Sequence, residues 1–155
     1  YPKLSSHPEK ARDLAQNCYP IESFLAMELK KGNLTADQFH IESKEIKIHA
    51  HCYQKALGQP SDTFSILNLP KNYSVRIMNT GCCGMAGSFG YEKEHFEVSQ
   101  QIGNLVLFPA IKKASINTIV VASGTSCRHQ ILDATQREVI HPIELLWSVL
   151  SKSTY

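Results

Sequence analysis

No apolar run in the sequence approaches the roughly 20 residues that a membrane-spanning helix needs, so no membrane span is expected. Charge of one sign is equally scarce. Sixteen Lys and Arg stand against fourteen Asp and Glu, a net charge of +2. That bias is too mild to argue for nucleic acid or for an anionic membrane surface. Low-complexity tracts are lacking, and so is a charged-then-apolar leader with a small-residue cleavage site, so export is not expected. No Cys-x-x-Cys pair occurs either. Five cysteines are present, an odd number with two adjacent. A secreted disulfide framework fits that pattern poorly, and a reducing compartment such as the cytoplasm fits it better.

What is there is one domain's worth of chain, 155 residues, 43% hydrophobic and 19% charged, enough to bury a core. It begins at Tyr1 rather than Met, and we expect a piece of a longer protein. The centre of the sequence is Gly81-Cys82-Cys83-Gly84-Met85-Ala86-Gly87-Ser88-Phe89-Gly90. Glycines on both sides of the adjacent thiols allow the backbone to take φ > 0 and turn neighbouring side chains toward one point. Cys52 and Cys127 stand at two comparable strand-to-helix junctions, in His51-Cys52-Tyr53-Gln54-Lys55 and Gly124-Thr125-Ser126-Cys127-Arg128.

Periodicity predicts helices over 8–18 and 21–31, the first burying Ala11, Leu14, Ala15 and Cys18 on one face. Residues 33–43 are irregular apart from a strand-like alternation at Phe39 and Ile41. Strands are expected at 45–51, 74–78, 117–123 and 138–141. Helices are expected over 52–58, 61–69, 92–114, 127–134 and from Pro142 onward. The 92–114 helix is expected to break at Pro109 and to send Phe96, Ile102, Leu105 and Val106 to the core. Strands alternating with helices predict a Rossmann-like α/β fold, an open parallel sheet of about four strands with helices on both faces. With sheet order 2-1-3-4, the turns bearing Cys52, the Cys82–Cys83 pair and Cys127 open on one carboxyl edge, the usual ligand site of such sheets. Neighbouring strands lie about 4.8 Å apart, so the four thiols can converge on a metal or an iron–sulfur cluster.

Each of these thiols is expected at or just before a helix N-terminus, which favours the thiolate. Lys55, Lys93 and Arg128 lie in the same turns and could offset the negative charge. Of the seven histidines, His51 and His129 adjoin candidate ligands and are assigned as neighbours or reserve ligands. His49 shares a strand face with His51, but a plain hydrogen bond beneath the N-terminal helices is favoured for it. Two rival readings use the same residues. Cys127 with His129 would make a nucleophile–base pair, and Gly84-x-x-Gly87-x-x-Gly90 would cradle a phosphate.

The stretches 49–57, 82–95 and 124–131 together resemble the cysteine-rich CCG domain of the heterodisulfide reductase B subunit and of the glycolate oxidase iron–sulfur subunit. They are most similar to the C-terminal region of FAD-linked oxidases of the D-lactate dehydrogenase type. The resemblance spans roughly residues 5–150. It implies a helical connector over 1–43 and a cysteine-rich domain over 44–155. It further implies electron transfer from a flavin to an iron–sulfur centre, 4Fe-4S or in its place zinc, during oxidation of a 2-hydroxy acid such as D-lactate or glycolate. FAD and substrate would bind elsewhere in the full protein, so the partners are its flavin-binding domain and a further iron–sulfur domain. The whole enzyme would be cytoplasmic, with peripheral membrane association, and this piece alone inactive. One departure stands out: Gly124 occupies the place of a family cysteine, which leaves four thiols. The alternative function is a structural zinc-binding or docking module with no redox role.

Overall fold

The computed structural model describes residues 2–151. Four short strands, β1 (Lys44–Ile48), β2 (Tyr73–Ile77), β3 (Ile119–Val121) and β4 (Val139–Ile140), form one sheet. Its order is β2-β1-β3-β4 and every pairing is parallel, as the alternation of elements predicts. In the register, Ile48 stands opposite Ile77 on one flank and Val121 on the other. Ile46, Ile48, Val120 and Val121 are almost wholly buried, which suits β-branched side chains in inner strands covered on both faces.

The two faces carry separate cores. Ala26 of α2 (Ile21–Lys30), Ile66 and Leu67 of α4 (Pro60–Leu67) and Leu145 and Leu146 of α8 (Pro142–Ser148) pack on Ile46, Ile48, Val75 and Val121. On the other face, Leu107, Phe108 and Ile111 of α6 (Leu107–Lys112) and Ile131 of α7 (Thr125–Thr135) pack on Val120 and Ala122. Cys83, Met85 and Cys127 belong to this second core. The thiols are therefore seated at the rim of a packed interior. The remaining helices are α1 (Pro8–Gln16), α3 (Cys52–Leu57) and α5 (Phe96–Leu105).

Several expectations are corrected. The helix expected over 92–114 is one 3-10 turn (Lys93–His95) followed by α5 and α6, and it breaks at Val106 rather than Pro109. Pro109 sits in the first turn of α6, where a missing N–H costs nothing. The break turns Leu107 and Phe108 inward and leaves Phe96, Leu105 and Val106 exposed. Gly103 fits flat against the Phe108 ring, where a Cβ would come within 2.2 Å of it. Cys18 lies beyond the end of α1 and is exposed, not part of a buried stripe, and Leu14 is exposed too. The strand-like signal at Phe39 is a single antiparallel bridge to Leu150. No helix among the described residues is long and apolar enough to cross a membrane.

Candidate metal centre

Hydrogen bonds from His49 N to Val121 O and from Met78 N to Ile48 O, each 2.9 Å, carry the pairing one residue beyond β1 and β2. Past that edge the three cysteine-bearing loops lie side by side. The Cys82–Cys83 turn is bent by three positive-φ residues, Gly84 (97°), Ala86 (41°) and Gly87 (74°). Gly84 presses so closely on α5 that a Cβ would fall 2.0 Å from the carbonyl oxygen of Ser99. Gln130, buried on α7, holds the turn from the other side. Its Nε2 donates to Cys83 O (3.1 Å) and Ser99 Oγ (2.8 Å), while Gln100 Nε2 donates to its Oε1 (3.1 Å). Gln130→Leu strands these buried partners. We expect a loss of about 1–3 kcal/mol, read as a lower denaturation midpoint with unchanged m-value.

Cys83 and Cys127 meet with their sulfurs 3.2 Å apart, and both are buried. His49, 1% exposed, completes the group. Its Nδ1 lies 2.9 Å from Thr80 Oγ1, and its buried Nε2 has no hydrogen-bond partner. The donor atoms of His49, Cys83 and Cys127 all lie within 4.8 Å of one another. The sulfur–sulfur hydrogen bond from Cys127 lowers the Cys83 thiol pKa, burial opposes this, and the His49 imidazole and the Met85 backbone reinforce it. Cys127 is pushed up by Cys83 first, then by burial, with smaller contributions from Cys52 and Cys82.

Cys52 is the first residue of α3 and is exposed. Burial of its sulfur, followed by the neighbouring Cys82 thiol, pushes its pKa up. Cys82 is half-buried, and its Sγ accepts a hydrogen bond from Gly84 N at 3.3 Å. The structure brings Cys83 and Cys127 together inside, while Cys52 and Cys82 neighbour each other toward solvent, outside the donor group that Cys83 and Cys127 form with His49. The expectation that each precedes a helix holds for Cys52 and for Cys127, in the first turn of α7. It fails for Cys82 and Cys83, which run into a turn.

The histidines are placed differently from the sequence reading. His51 caps α3 by accepting from Tyr53 N at 3.2 Å. Its ring lies across Gly124, where a Cβ would meet His51 Cδ2 at 2.6 Å and Cys127 Sγ at 3.2 Å. The position at which the resemblance expects a further cysteine is therefore covered by an imidazole. His129 is exposed and is engaged by Tyr91 Oη at 3.0 Å, away from the buried group. His49 bonds to Thr80 rather than beneath the N-terminal helices and faces the thiols instead. A sequence signal existed, the shared face of His49 and His51, but the strand ends at Ile48.

Of the three expected charge partners, Lys93 is exposed in the 3-10 turn Lys93–His95, while Lys55 and Arg128 hold the loops as well. Lys55 Nζ donates to Thr80 O at 2.6 Å, and Arg128 Nη1 donates to Ala122 O (3.0 Å) and Ser123 O (2.9 Å). The nucleophile–base reading loses its geometry, because Cys127 is buried while His129 is turned to Tyr91. The phosphate-cradle reading fails as well. A Cβ at Gly90 would meet Ser99 Oγ at 2.4 Å and Met85 Sδ at 2.6 Å, so the glycine spaces at 84 and 90 are filled by the protein itself.

Two buried thiols and one imidazole are donors suited to zinc or iron. The unpartnered His49 Nε2 is the orphaned polar atom that a bound metal would satisfy. Fold and donors together define a cysteine-rich α/β domain built around a metal-competent rim.

Comparison with known proteins agrees. The chain is 30% identical over 107 residues, 69% of its length, to a subunit of the anaerobic glycerol-3-phosphate dehydrogenase of Escherichia coli K12. It is 34% identical over 107 residues to a D-2-hydroxyglutarate dehydrogenase of Pantoea ananatis and 29% over 102 residues to that of Pseudomonas putida. It spans 26% of the first relative and 10% of each of the other two. No family model and no solved structure matches. The chain belongs with the cysteine-rich CCG domains of such dehydrogenases, as its motifs imply.

Proposed function

We propose that the chain is the electron-passing metal domain of an FAD-linked dehydrogenase acting on a 2-hydroxy acid or a similar secondary alcohol. Cys52, Cys82, Cys83 and Cys127 are the thiolate ligands, and an iron–sulfur cluster is the centre the resemblance implies. One observation supports this reading: Cys83 and Cys127, from two separate loops past the carboxyl edge of the sheet, are in contact, with Cys82 beside Cys52 nearer the solvent. The names of the relatives support it, since glycerol-3-phosphate and D-2-hydroxyglutarate both present a secondary hydroxyl to be oxidised. Residues 44–155 carry the centre, and residues 1–43 form the connector, held to the sheet through Ala26. The flavin domain and a further iron–sulfur domain of the whole protein are the partners, on the cytoplasmic side.

When bound, the centre would accept and release single electrons. The chain's own residues shape its surroundings. Gln130 and Gly84 fix the Cys83 turn, and Lys55 pins the loop behind it through Thr80. His51 fills the space over Gly124 beside Cys127. A structural zinc site is the second reading, favoured by how tightly the buried donors are grouped.

Iron and acid-labile sulfide analysis of anaerobically purified protein, with EPR after reduction, separates the two. We expect iron, sulfide and a reducible signal. One equivalent of zinc with no redox signal would instead establish the structural reading.

A further inference from the structure

The least explained group in the interior is His49. Its imidazole is as buried as the core isoleucines, yet one ring nitrogen has no partner. Leaving such a nitrogen unpaired in a protein interior forfeits its hydration without replacement, so a bound partner is the simplest account of it. The opposite nitrogen is fixed. Thr80 Oγ1 takes up Nδ1 at 2.9 Å, and Thr80 is itself held at its carbonyl by Lys55 Nζ at 2.6 Å. In the tautomer whose Nδ1–H donates to the hydroxyl, Nε2 carries the lone pair, and the ring's donor atom lies within 4.8 Å of both sulfurs. A ring held at one nitrogen and open at the other is the arrangement that metal-ligating histidines adopt.

The spacing bears on how the metal is held. Donors around one tetrahedral metal atom, with metal–sulfur bonds of about 2.3 Å and metal–nitrogen bonds of about 2.0 Å, lie roughly 3.5–3.8 Å apart. The Cys83 and Cys127 sulfurs are 3.2 Å apart, and both are within 4.8 Å of the His49 donor nitrogen. A cubane cluster places each protein ligand on a different iron and spreads the ligands wider. We infer that His49 Nε2, Cys83 Sγ and Cys127 Sγ bind the same metal atom, which gives that atom a mixed nitrogen–sulfur shell within the thiolate set proposed above. Cys82 or a non-protein ligand would take the fourth position of a tetrahedral atom.

This inference rests on the thiols being metal ligands, as proposed above. It gives His49 the place expected of His51 or His129 as reserve ligand. A neutral imidazole in place of a thiolate makes the centre less negative by one charge. Histidine ligation of this kind raises the potential of an iron centre.

The test uses the 155-residue chain, stripped of metal and titrated anaerobically with zinc and with cobalt(II), and the anaerobically purified iron form. X-ray absorption at the bound metal counts nitrogen and sulfur neighbours. For the iron form, pulsed EPR on protein labelled with ¹⁵N-histidine detects a bound nitrogen directly. We expect one nitrogen and at least two sulfurs on one atom. His49→Ala should lose the nitrogen and weaken zinc binding by about 100-fold, the upper end of the range measured for losing even an outer-shell partner. His49→Cys should retain metal with an all-sulfur shell. Thermal unfolding of the metal-free variants distinguishes loss of the ligand from loss of the fold. An all-sulfur shell in the unsubstituted chain, unchanged in His49→Ala, overturns the inference and leaves the proposed function standing. Failure of the unsubstituted, folded chain to bind any of the three metals overturns both.

Discussion

Cys83→Ser and Cys127→Ser are each expected to abolish metal binding, while Cys18→Ser leaves it intact. Serine keeps the shape of cysteine but does not ionise near neutrality, and it lacks the soft sulfur donor that zinc and iron select. Because the two thiols touch and are sealed inside the second core, no other donor can reach the vacated position without repacking. Binding a structural zinc contributes about 10–16 kcal/mol in small thiolate sites, so losing one of its ligands should leave metal content near background. Cys52→Ser should be milder, because Cys52 is exposed, outside the buried group. Metal analysis of the purified variants ranks the four sulfurs. Retention of full metal by Cys83→Ser would remove the centre from this edge, and loss of metal in Cys18→Ser would make the exposed Cys18 a ligand that the buried group does not include.

Gly84→Ala is expected to be nearly as damaging, though it removes no donor. At φ 97° an alanine is strained by about 1–3 kcal/mol. Its methyl group would also stand 2.0 Å from the Ser99 carbonyl oxygen, with the carbonyl carbon at 2.9 Å. Backbone of α5 cannot swing aside as a side chain could, so the turn or the helix must move. We expect a total loss of about 3 kcal/mol or more, with metal affinity falling because Cys83 is the preceding residue. Gly81→Ala is the control. A Cβ there meets nothing within 4 Å and the backbone is not left-handed, so its effect should stay within about 0.5 kcal/mol. Equal effects at the two glycines would show that the turn is soft and does not fix the thiol.

Much of this arrangement is legible in the order of residues alone. The apolar run 118–122, the alternation at Ile46 and Ile48 and the spacing of helices between them suffice for a parallel sheet and its order. The contact of Cys127 with Cys83 then follows from the carboxyl-edge rule. What escapes such reading are features set by neighbours remote in sequence. The break at Val106 is fixed by the fit of Phe108 on Gly103, which no local pattern announces. Apolar residues at helical spacing predict a buried Cys18, but α1 ends two residues earlier. The histidines differ for a related reason. Adjacency in sequence favours His51 and His129, whereas a partner 31 residues away, Thr80, orients His49.

The double pairing of β1 has a further bearing on how this domain tolerates length changes. β1 is bonded to β2 and β3 at once, and side chains along a strand alternate between faces. Inserting or deleting a single residue within it would exchange the roles of His49 and Ala50 and point the imidazole into the wrong layer. The same edit in the turn after α2 would shift no pairing in the sheet. Natural length variation among chains of this kind should therefore avoid the first strand and collect in the connections away from the sheet's carboxyl rim.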